Sequence, residues 1–151
     1  MDLKMQDRLF TDLKQAMKKG DKMRQSVIRL ARAEIQNAEK AKGKPLDDPG
    51  VIEIISKEAK KRRESITEFR KADRQDLLAQ EEAELAILLE YLPPQMSREE
   101  IVAAARNVIE ELGAQGPGDK GRVMGKLMPQ LKGRAEGSLA SEVVSELLAG
   151  S

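Results

Sequence analysis

The fold is decided by a glycine-interrupted helical stretch that runs Gly121-Arg122-Val123-Met124-Gly125-Lys126-Leu127-Met128-Pro129-Gln130-Leu131-Lys132-Gly133-Arg134-Ala135-Glu136-Gly137. Eight of the eleven glycines of the chain lie from Gly113 to Gly150. Because glycine lacks Cβ, it tolerates a positive φ and lets other groups approach its backbone. Two readings stay open: the structural glycines Gly121, Gly125, Gly133 and Gly137 serve close helix packing and a turn, or they expose amides to phosphate.

Outward from this stretch, a double proline predicts a domain boundary. Pro93-Pro94 ends the preceding helix, since proline disfavours the helical conformation of the residue before it. Ser97 and Glu100 then form a capping box for the next helix, and Gly113 suits its C-terminal end. Asp119 is predicted to cap the following helix, and Pro129 to break or kink it. The sequence thus predicts a helical N-terminal subdomain, residues 1–92, and a C-terminal subdomain, residues 93–151.

The apolar spacing is helical throughout, and no segment alternates with the period of a strand. We therefore expect an all-α fold with four helices before the double proline and three after it. The faces predicted for the first two helices are Leu3, Phe10, Leu13 and Met17, followed by Met23, Val27, Leu30, Ala31, Ile35 and Ala38. A third helix opens at Asp48 or Pro49, and a fourth carries Leu78, Leu85 and Leu88.

The chain contains no Cys and no His. These absences exclude a thiolate nucleophile, a disulfide, a histidine base and a zinc site with the usual ligands. We expect no catalytic residue, no metal and no cofactor. The first residues form no apolar signal region, and no run of about 20 apolar residues could span a bilayer. A cytoplasmic protein that does not associate with a membrane is expected.

Charge is nearly balanced overall but is uneven along the chain. Residues 1–45 hold twelve Lys/Arg against six Asp/Glu. The run Lys60-Lys61-Arg62-Arg63 indicates either a solvated helix face paired at i,i+4 with Glu58 and Glu64 or a phosphate track. Because the only aromatic residues are Phe10, Phe69 and Tyr91, RNA contacts would go to backbone and shape rather than to stacked bases. The RNA-binding candidates are Arg24, Arg29, Arg32, Lys60, Arg63, Lys126, Lys132 and Arg134.

The C-terminal motifs resemble those of the YqeY family, whose module is also the tail domain of the B subunit (GatB) of glutamyl-tRNA amidotransferase. The resemblance covers essentially the whole chain and is strongest from Tyr91-Leu92-Pro93 onward. It rests on Ser97-Arg98-Glu99-Glu100, Val123-Met124-Gly125, Met128-Pro129 and Lys132-Gly133-Arg134-Ala135-Glu136-Gly137. The family more often has Asp at the position of Glu136, which weakens a capping role for that residue.

The resemblance implies an all-helical protein of two subdomains that associates with tRNA or with a tRNA-modifying or aminoacylating enzyme. It also connects the chain with glutamine-dependent carbon–nitrogen ligases. Three hypotheses follow: a non-catalytic tRNA-associated accessory protein, a protein-interaction adaptor without RNA binding, and a ligase subunit that acts only with partner chains. No DNA binding is expected. The absence of His, Cys and a nucleotide-binding loop argues against amidation by the isolated chain.

Overall fold

The structure is a computed structural model that describes residues 4–150. Every regular element in this range is helical, which confirms the all-α prediction. The residue contacts divide the chain into two units, Met1–Leu92 and Pro93–Ser151. Each unit has its own apolar core. The last helix of the first unit ends at Leu89, and the first helix of the second begins at Arg98.

Four helices build the first unit, and local sequence signals set most of their ends. The amide of Arg24 donates to the carboxylate of Asp21, the N-cap of the second helix, at 3.1 Å. Asp47 caps the third helix by accepting from the amide of Gly50 at 3.0 Å. Gly43 ends the second helix with a φ of 72°. The helices are α1 Lys4–Lys19, α2 Lys22–Lys42, α3 Asp48–Lys71 and α4 Gln75–Leu89.

The buried stripe of α1 differs from the predicted one. Leu9, Leu13 and Ala16 are buried, whereas Phe10 and Met17 are 46% and 53% exposed. Successive helical residues point about 100° apart, so a stripe centred on Leu9 turns Phe10 to the edge of the core. Leu30 of α2, also predicted to be buried, is 43% exposed. The predicted core position Leu3 lies outside the described residues.

Ion pairs between α3 and α4 also differ from those that the sequence suggested. Arg62 contacts Glu81 at 3.2 Å and also pairs with Glu84. Glu58 pairs with Lys61 at 3.2 Å, not with Arg62. The predicted i,i+4 partner for Arg62 is therefore wrong, because its guanidinium turns toward carboxylates of the neighbouring helix. Glu84 is only 8% exposed, so this arginine compensates a largely buried charge.

Three α-helices build the second unit, α5 Arg98–Leu112, α6 Lys120–Leu131 and α7 Gly137–Ala149, and a short 3-10 helix, Pro117–Asp119, precedes α6. The predicted capping box is present, since the Glu100 amide donates to Ser97 Oγ at 3.2 Å and the Ser97 amide donates to Glu100 at 3.1 Å. Gly113 ends α5 with a φ of 63°. The core of this unit consists of Ile101, Ala105, Val108, Val123, Leu127, Leu131, Ala140, Val143, Val144 and Leu148.

Three details of α6 correct the predictions. Pro129 does not break the helix, which continues to Leu131. Its missing amide leaves the carbonyl of Gly125 without an intrahelical donor, and water can reach that exposed residue. Asp119 does not cap α6 with its side chain but accepts from the Gln115 amide at 2.9 Å. Gly121 and Gly125 mediate no close helix packing, because a Cβ built on either has no atom within 4 Å.

Candidate nucleic-acid interface

The eight basic candidates fall into two groups. Five lie on α2 and α3 in the first unit, and three lie on α6 or in the turn that follows it. Within each group, the candidates differ in whether the cation already has a carboxylate partner, because a paired cation must exchange that partner for phosphate. The α2 and α3 set is Arg24, Arg29, Arg32, Lys60 and Arg63, and the second set is Lys126, Lys132 and Arg134.

Arg24 is committed to a structural ion pair. Its two terminal nitrogens each donate to a carboxylate oxygen of Glu90 at 3.0 Å. Its Nε lies 3.4 Å from Asp21. The hydrogen bond to Glu90 raises the pKa of Arg24, with the negative charges of Glu90 and Asp21 adding to it. Phosphate at this position would therefore compete with two carboxylates.

Arg29 and Arg32 are the two arginines of α2 that differ from Arg24 in lacking a carboxylate partner among the described residues. They are three residues apart and so lie about 60° from each other around the helix. Arg29 is exposed, and the guanidinium of Arg32 sits 4.9 Å from the centroid of the Phe10 ring. Within residues 4–150, neither arginine forms an ion pair. This side of α2 thus presents positive charge that no carboxylate of the described chain offsets.

The basic run of α3 divides by direction. Lys61 and Arg62 pair with carboxylates, whereas Lys60 is exposed and Arg63 is half-buried. Lys60 and Arg63 again lie about 60° apart, on one side of the helix. The backbone carbonyl of Arg63 also accepts from the Thr67 hydroxyl at 3.1 Å. Lys61 and Arg62 therefore belong to a paired face, as one interpretation of the sequence predicted.

In the second unit, Lys126 is paired, since its Nζ lies 2.7 Å from Glu111. Lys132 ends α6 and is exposed. Arg134 donates from Nε to the carbonyl of Pro94 at 3.3 Å. These three cations are spread over a helix and a turn rather than gathered on one helical face.

The turn between α6 and α7 (residues 131–137) is hydrogen-bonded to the segment before α5 (residues 93–96). We call these two segments together the stitched turn. The Met96 amide donates to the carbonyl of Arg134 at 2.8 Å. The Gln95 side-chain amide donates to the carbonyls of Gly133 and Pro93 at 2.9 and 2.8 Å. Gly133 has a φ of 77°, which agrees with the interpretation that this glycine serves a turn.

The stitched turn leaves fewer free amides than a phosphate-binding reading of its glycines requires. The amides of Arg134 and Ala135 both donate to the carbonyl of Leu131, at 2.8 and 3.0 Å. Glu136 is the N-cap of α7 but its side chain makes no capping bond. A Cβ at Gly137 would meet Met128 at 3.6 Å, an ordinary contact. Of the two turn glycines, only Gly133 is therefore needed for its backbone conformation.

A polar cleft in the first unit was not expected from the sequence. It encloses about 430 Å³, and its ionic groups are bonded to one another. At its edge, the Tyr91 hydroxyl donates to Asp12, and the Arg8 guanidinium lies 4.4 Å from the centroid of the Tyr91 ring. Burial, followed by the bond to Asp12, raises the pKa of Tyr91. The lining residues are Arg8, Asp12, Gln15, Ala16, Lys19, Asp21, Arg24 and Glu90.

Residues 4–150 contain no group of three or more acidic, His or Cys side chains that could hold a metal ion. None of the helices described there combines the length and the apolar character that crossing a membrane requires.

Comparison with known proteins gives a family match and several relatives. The family model described as Yqey-like protein matches residues 6–148. A protein of Pyrenophora tritici-repentis named altered inheritance of mitochondria protein 41, mitochondrial, is 38% identical over 141 residues, which cover 92% of this chain and 76% of that protein. The protein of the same name from Lachancea thermotolerans is 39% identical over 72% of this chain and 60% of its own length. The one from Eremothecium gossypii is 38% identical over 69% and 58%.

The name of these relatives corrects one expectation. All three are named as mitochondrial proteins, which contradicts the cytoplasmic location expected from the sequence. That expectation rested on the absence of an apolar signal region near Met1, and such an absence does not distinguish the cytoplasm from other compartments. The matched segment spans 60% and 58% of the length of two of these relatives.

Proposed function

The chain belongs to the Yqey-like protein family, and from that membership and its unpaired cations we propose that it is a non-catalytic accessory protein that associates with tRNA. In this proposal residues 93–151 are a tail subdomain of the kind shared with the amidotransferase B subunit, and residues 1–92 are its helical partner. The enzyme that it assists is one that modifies or aminoacylates tRNA. Amidation chemistry, where it occurs, comes from partner chains.

The observation that carries the proposal is the unpaired positive side of α2. Arg29 and Arg32 lie on one side of the helix and form no ion pair among the described residues, although most arginines of the first unit do. Uncompensated cations on a rigid helix are suited to phosphate, and their binding would release counterions. Lys60 and Arg63 add positive charge on one side of α3, and Lys132 and Arg134 add positive charge at the stitched turn.

The same arrangement predicts the manner of recognition. Contacts to phosphate fix the position of the nucleic acid but do not read its sequence. The chain should therefore bind different tRNAs with similar affinity and should depend on the folded shape of the RNA.

The test is a filter-binding titration of total tRNA with the full chain at two salt concentrations. The wild type is compared with Arg29→Gln/Arg32→Gln and with Lys132→Ala/Arg134→Ala. A charge-matched control, Arg70→Gln/Arg98→Gln, removes two arginines that pair with Glu82 and Glu146. Each lost phosphate contact should flatten the log–log salt dependence by about one.

Two outcomes would contradict the proposal. The wild type could fail to retain tRNA at low salt, or the Arg29/Arg32 variant could bind as well as the charge-matched control. If only the Lys132/Arg134 variant behaves like the wild type, the stitched turn is not part of the RNA surface and α2 alone carries binding.

A second candidate function, a protein-interaction adaptor, is favoured by one specific observation. Phe10 and Met17 are large apolar side chains of α1 that stay about half exposed. Single exposed apolar residues are common, but two on one helix face mark a surface that a partner could cover.

A further inference from the structure

The exposed apolar side chains of α1 form one face with the unpaired cations beside them. Phe10 and Met17 are seven residues apart, which places them about 20° from each other around the helix and about 10 Å apart along it. Lys14 lies between them, with Nζ 4.6 Å from the centroid of the Phe10 ring. We call this surface the Phe10–Met17 face: Phe10, Lys14 and Met17 of α1 with Arg29 and Arg32 of α2.

The charge of this face is uncompensated. Lys14 and Arg32 are both held against the Phe10 ring, and within residues 4–150 neither pairs with a carboxylate. Asp12, two residues after Phe10, is turned to Tyr91 and Arg8 instead. Glu39 lines the same cavity as Arg32 but bonds to Gln6 and to the Leu46 amide instead. A partner should therefore bring carboxylates or phosphates together with apolar groups.

A small cavity next to the ring supports an acidic partner. It measures about 90 Å³ and is lined by Arg32, Gln36, Gln6 and Glu39 among others. The Glu39 carboxylate already accepts from Gln6 at 3.0 Å and from the Leu46 amide at 2.8 Å. Arg32 and Gln36 therefore remain as donors at the cavity, and a partner carboxylate would fit between them.

We propose that the Phe10–Met17 face binds an acidic amphipathic helix of a partner protein. The spacing of Phe10 and Met17 over two turns matches the i and i+7 anchors of helix-in-groove recognition. Methionine adapts its shape to an apolar partner surface. Arg29 and Arg32 are shared with the proposed tRNA surface, but Phe10 and Met17 offer nothing to phosphate, so an acidic amphipathic helix uses more of this face than RNA does. This interaction goes beyond the proposed tRNA association.

The test measures binding of a labelled synthetic helix to the full chain by fluorescence anisotropy. The probe is a 20-residue helical peptide with Leu at positions i, i+4, i+7 and i+11 flanked by Glu, and its control is the same peptide with Lys in place of Glu. Phe10→Ser/Met17→Ser removes the apolar anchors without changing charge. Leu30→Ser is the matched control, because Leu30 is similarly exposed but points about 200° from Arg32 around α2.

The wild type and Leu30→Ser should bind the acidic peptide, and the Lys peptide should not bind. Fully burying one such side chain is equivalent to roughly tenfold in affinity or more. Because Phe10 and Met17 are each only about half exposed before binding, removing both should weaken binding by about tenfold or more. Arg29→Gln/Arg32→Gln should weaken it too and make it less sensitive to salt. Circular dichroism of each variant checks that the surface substitutions leave the helices intact.

The proposal is overturned if the acidic peptide does not bind the wild type, or if it binds Phe10→Ser/Met17→Ser as well as Leu30→Ser. Total tRNA is titrated against the same variants. Loss of tRNA binding in Phe10→Ser/Met17→Ser, without peptide binding, would make this face an RNA surface and would also overturn the proposal. If the wild type binds the acidic peptide but does not bind tRNA, only the proposed tRNA association is refuted.

Discussion

Replacing Gly133 and Gly125 by alanine should change stability in opposite directions. Gly133 has a φ of 77°, and a left-handed conformation costs a residue with a Cβ about 1–2 kcal/mol. The alanine also restricts the unfolded chain, which returns about 0.4–1 kcal/mol. Gly133→Ala should therefore destabilise the protein by about 1 kcal/mol.

Gly125 provides the matched comparison eight residues away. It lies inside α6 and is exposed, and a Cβ placed there meets nothing within 4 Å. Alanine is better than glycine in a helix interior by about 0.8–1 kcal/mol. Gly125→Ala should thus stabilise the protein, and the two variants should differ by about 2 kcal/mol.

The assay is urea and thermal unfolding of the full chain followed by circular dichroism at 222 nm. For a unit of this size, a change of 1 kcal/mol shifts the midpoint temperature by roughly 4–8 °C. Tyr91 is the only tyrosine and lies in the first unit. If the units unfold separately, its fluorescence should report a transition that neither substitution moves.

The reasoning is refuted if Gly133→Ala is as stable as the wild type, because the left-handed backbone would then carry no penalty. It is equally refuted if Gly125→Ala is destabilised by about 1 kcal/mol or more. That result would mean that the space over Gly125 is occupied in the folded protein.

Three further predictions concern charge and caps. Arg62→Ala should cost about 3 kcal/mol in urea unfolding because it leaves largely buried carboxylates unpaired, whereas Arg70→Ala, which breaks an exposed pair, should cost under about 1 kcal/mol. The hydrogen bond from the Ser97 amide lowers the pKa of Glu100 below 4.5. The Glu100 carboxylate therefore contributes to the free energy of unfolding above pH 4.5, and this contribution is lost as the pH falls through the lowered pKa. Glu100→Gln should make the free energy of unfolding less dependent on pH below 4.5. Burial raises the pKa of Tyr91, so the absorbance of the folded protein at 295 nm should not change near the ordinary phenol pKa of about 10. The free energy of unfolding should fall as the pH rises above that value, because the unfolded chain loses the phenol proton first. An absorbance transition near pH 10 with the helices intact would contradict the buried hydroxyl.

Local signals explain what the sequence predicted correctly. A capping box requires only residues i and i+3, so Ser97 and Glu100 were identified without knowledge of the fold. The left-handed Gly133 and the end of α4 before Pro93 likewise depend on neighbouring residues. The family was recognised for the same reason, since its motifs are short combinations of such signals.

Tertiary arrangement accounts for what the sequence missed. The hydrophobic residues of α1 cover enough of the helix surface that the buried face could be centred on Leu9 or on Phe10. Only the packing of α1 against α2 and α3 decides between these two faces. Tyr91 and Asp12 are separated by 79 residues, so no spacing rule connects them. Whether a cation is paired is also decided by tertiary contacts, and pairing is what distinguishes Arg24 from Arg29 as candidate phosphate ligands.

The stitched turn has a consequence for dissecting this protein. Gln95 and Met96 donate to the carbonyls of Gly133 and Arg134. The residues that follow the double proline therefore belong structurally to the second unit. A tail fragment that starts at Ser97 would keep all three helices yet lose the donors that close its last loop. A fragment that starts at Pro93 keeps Gln95 and Met96 as hydrogen-bond donors, so a fusion partner joined there should leave the loop closed.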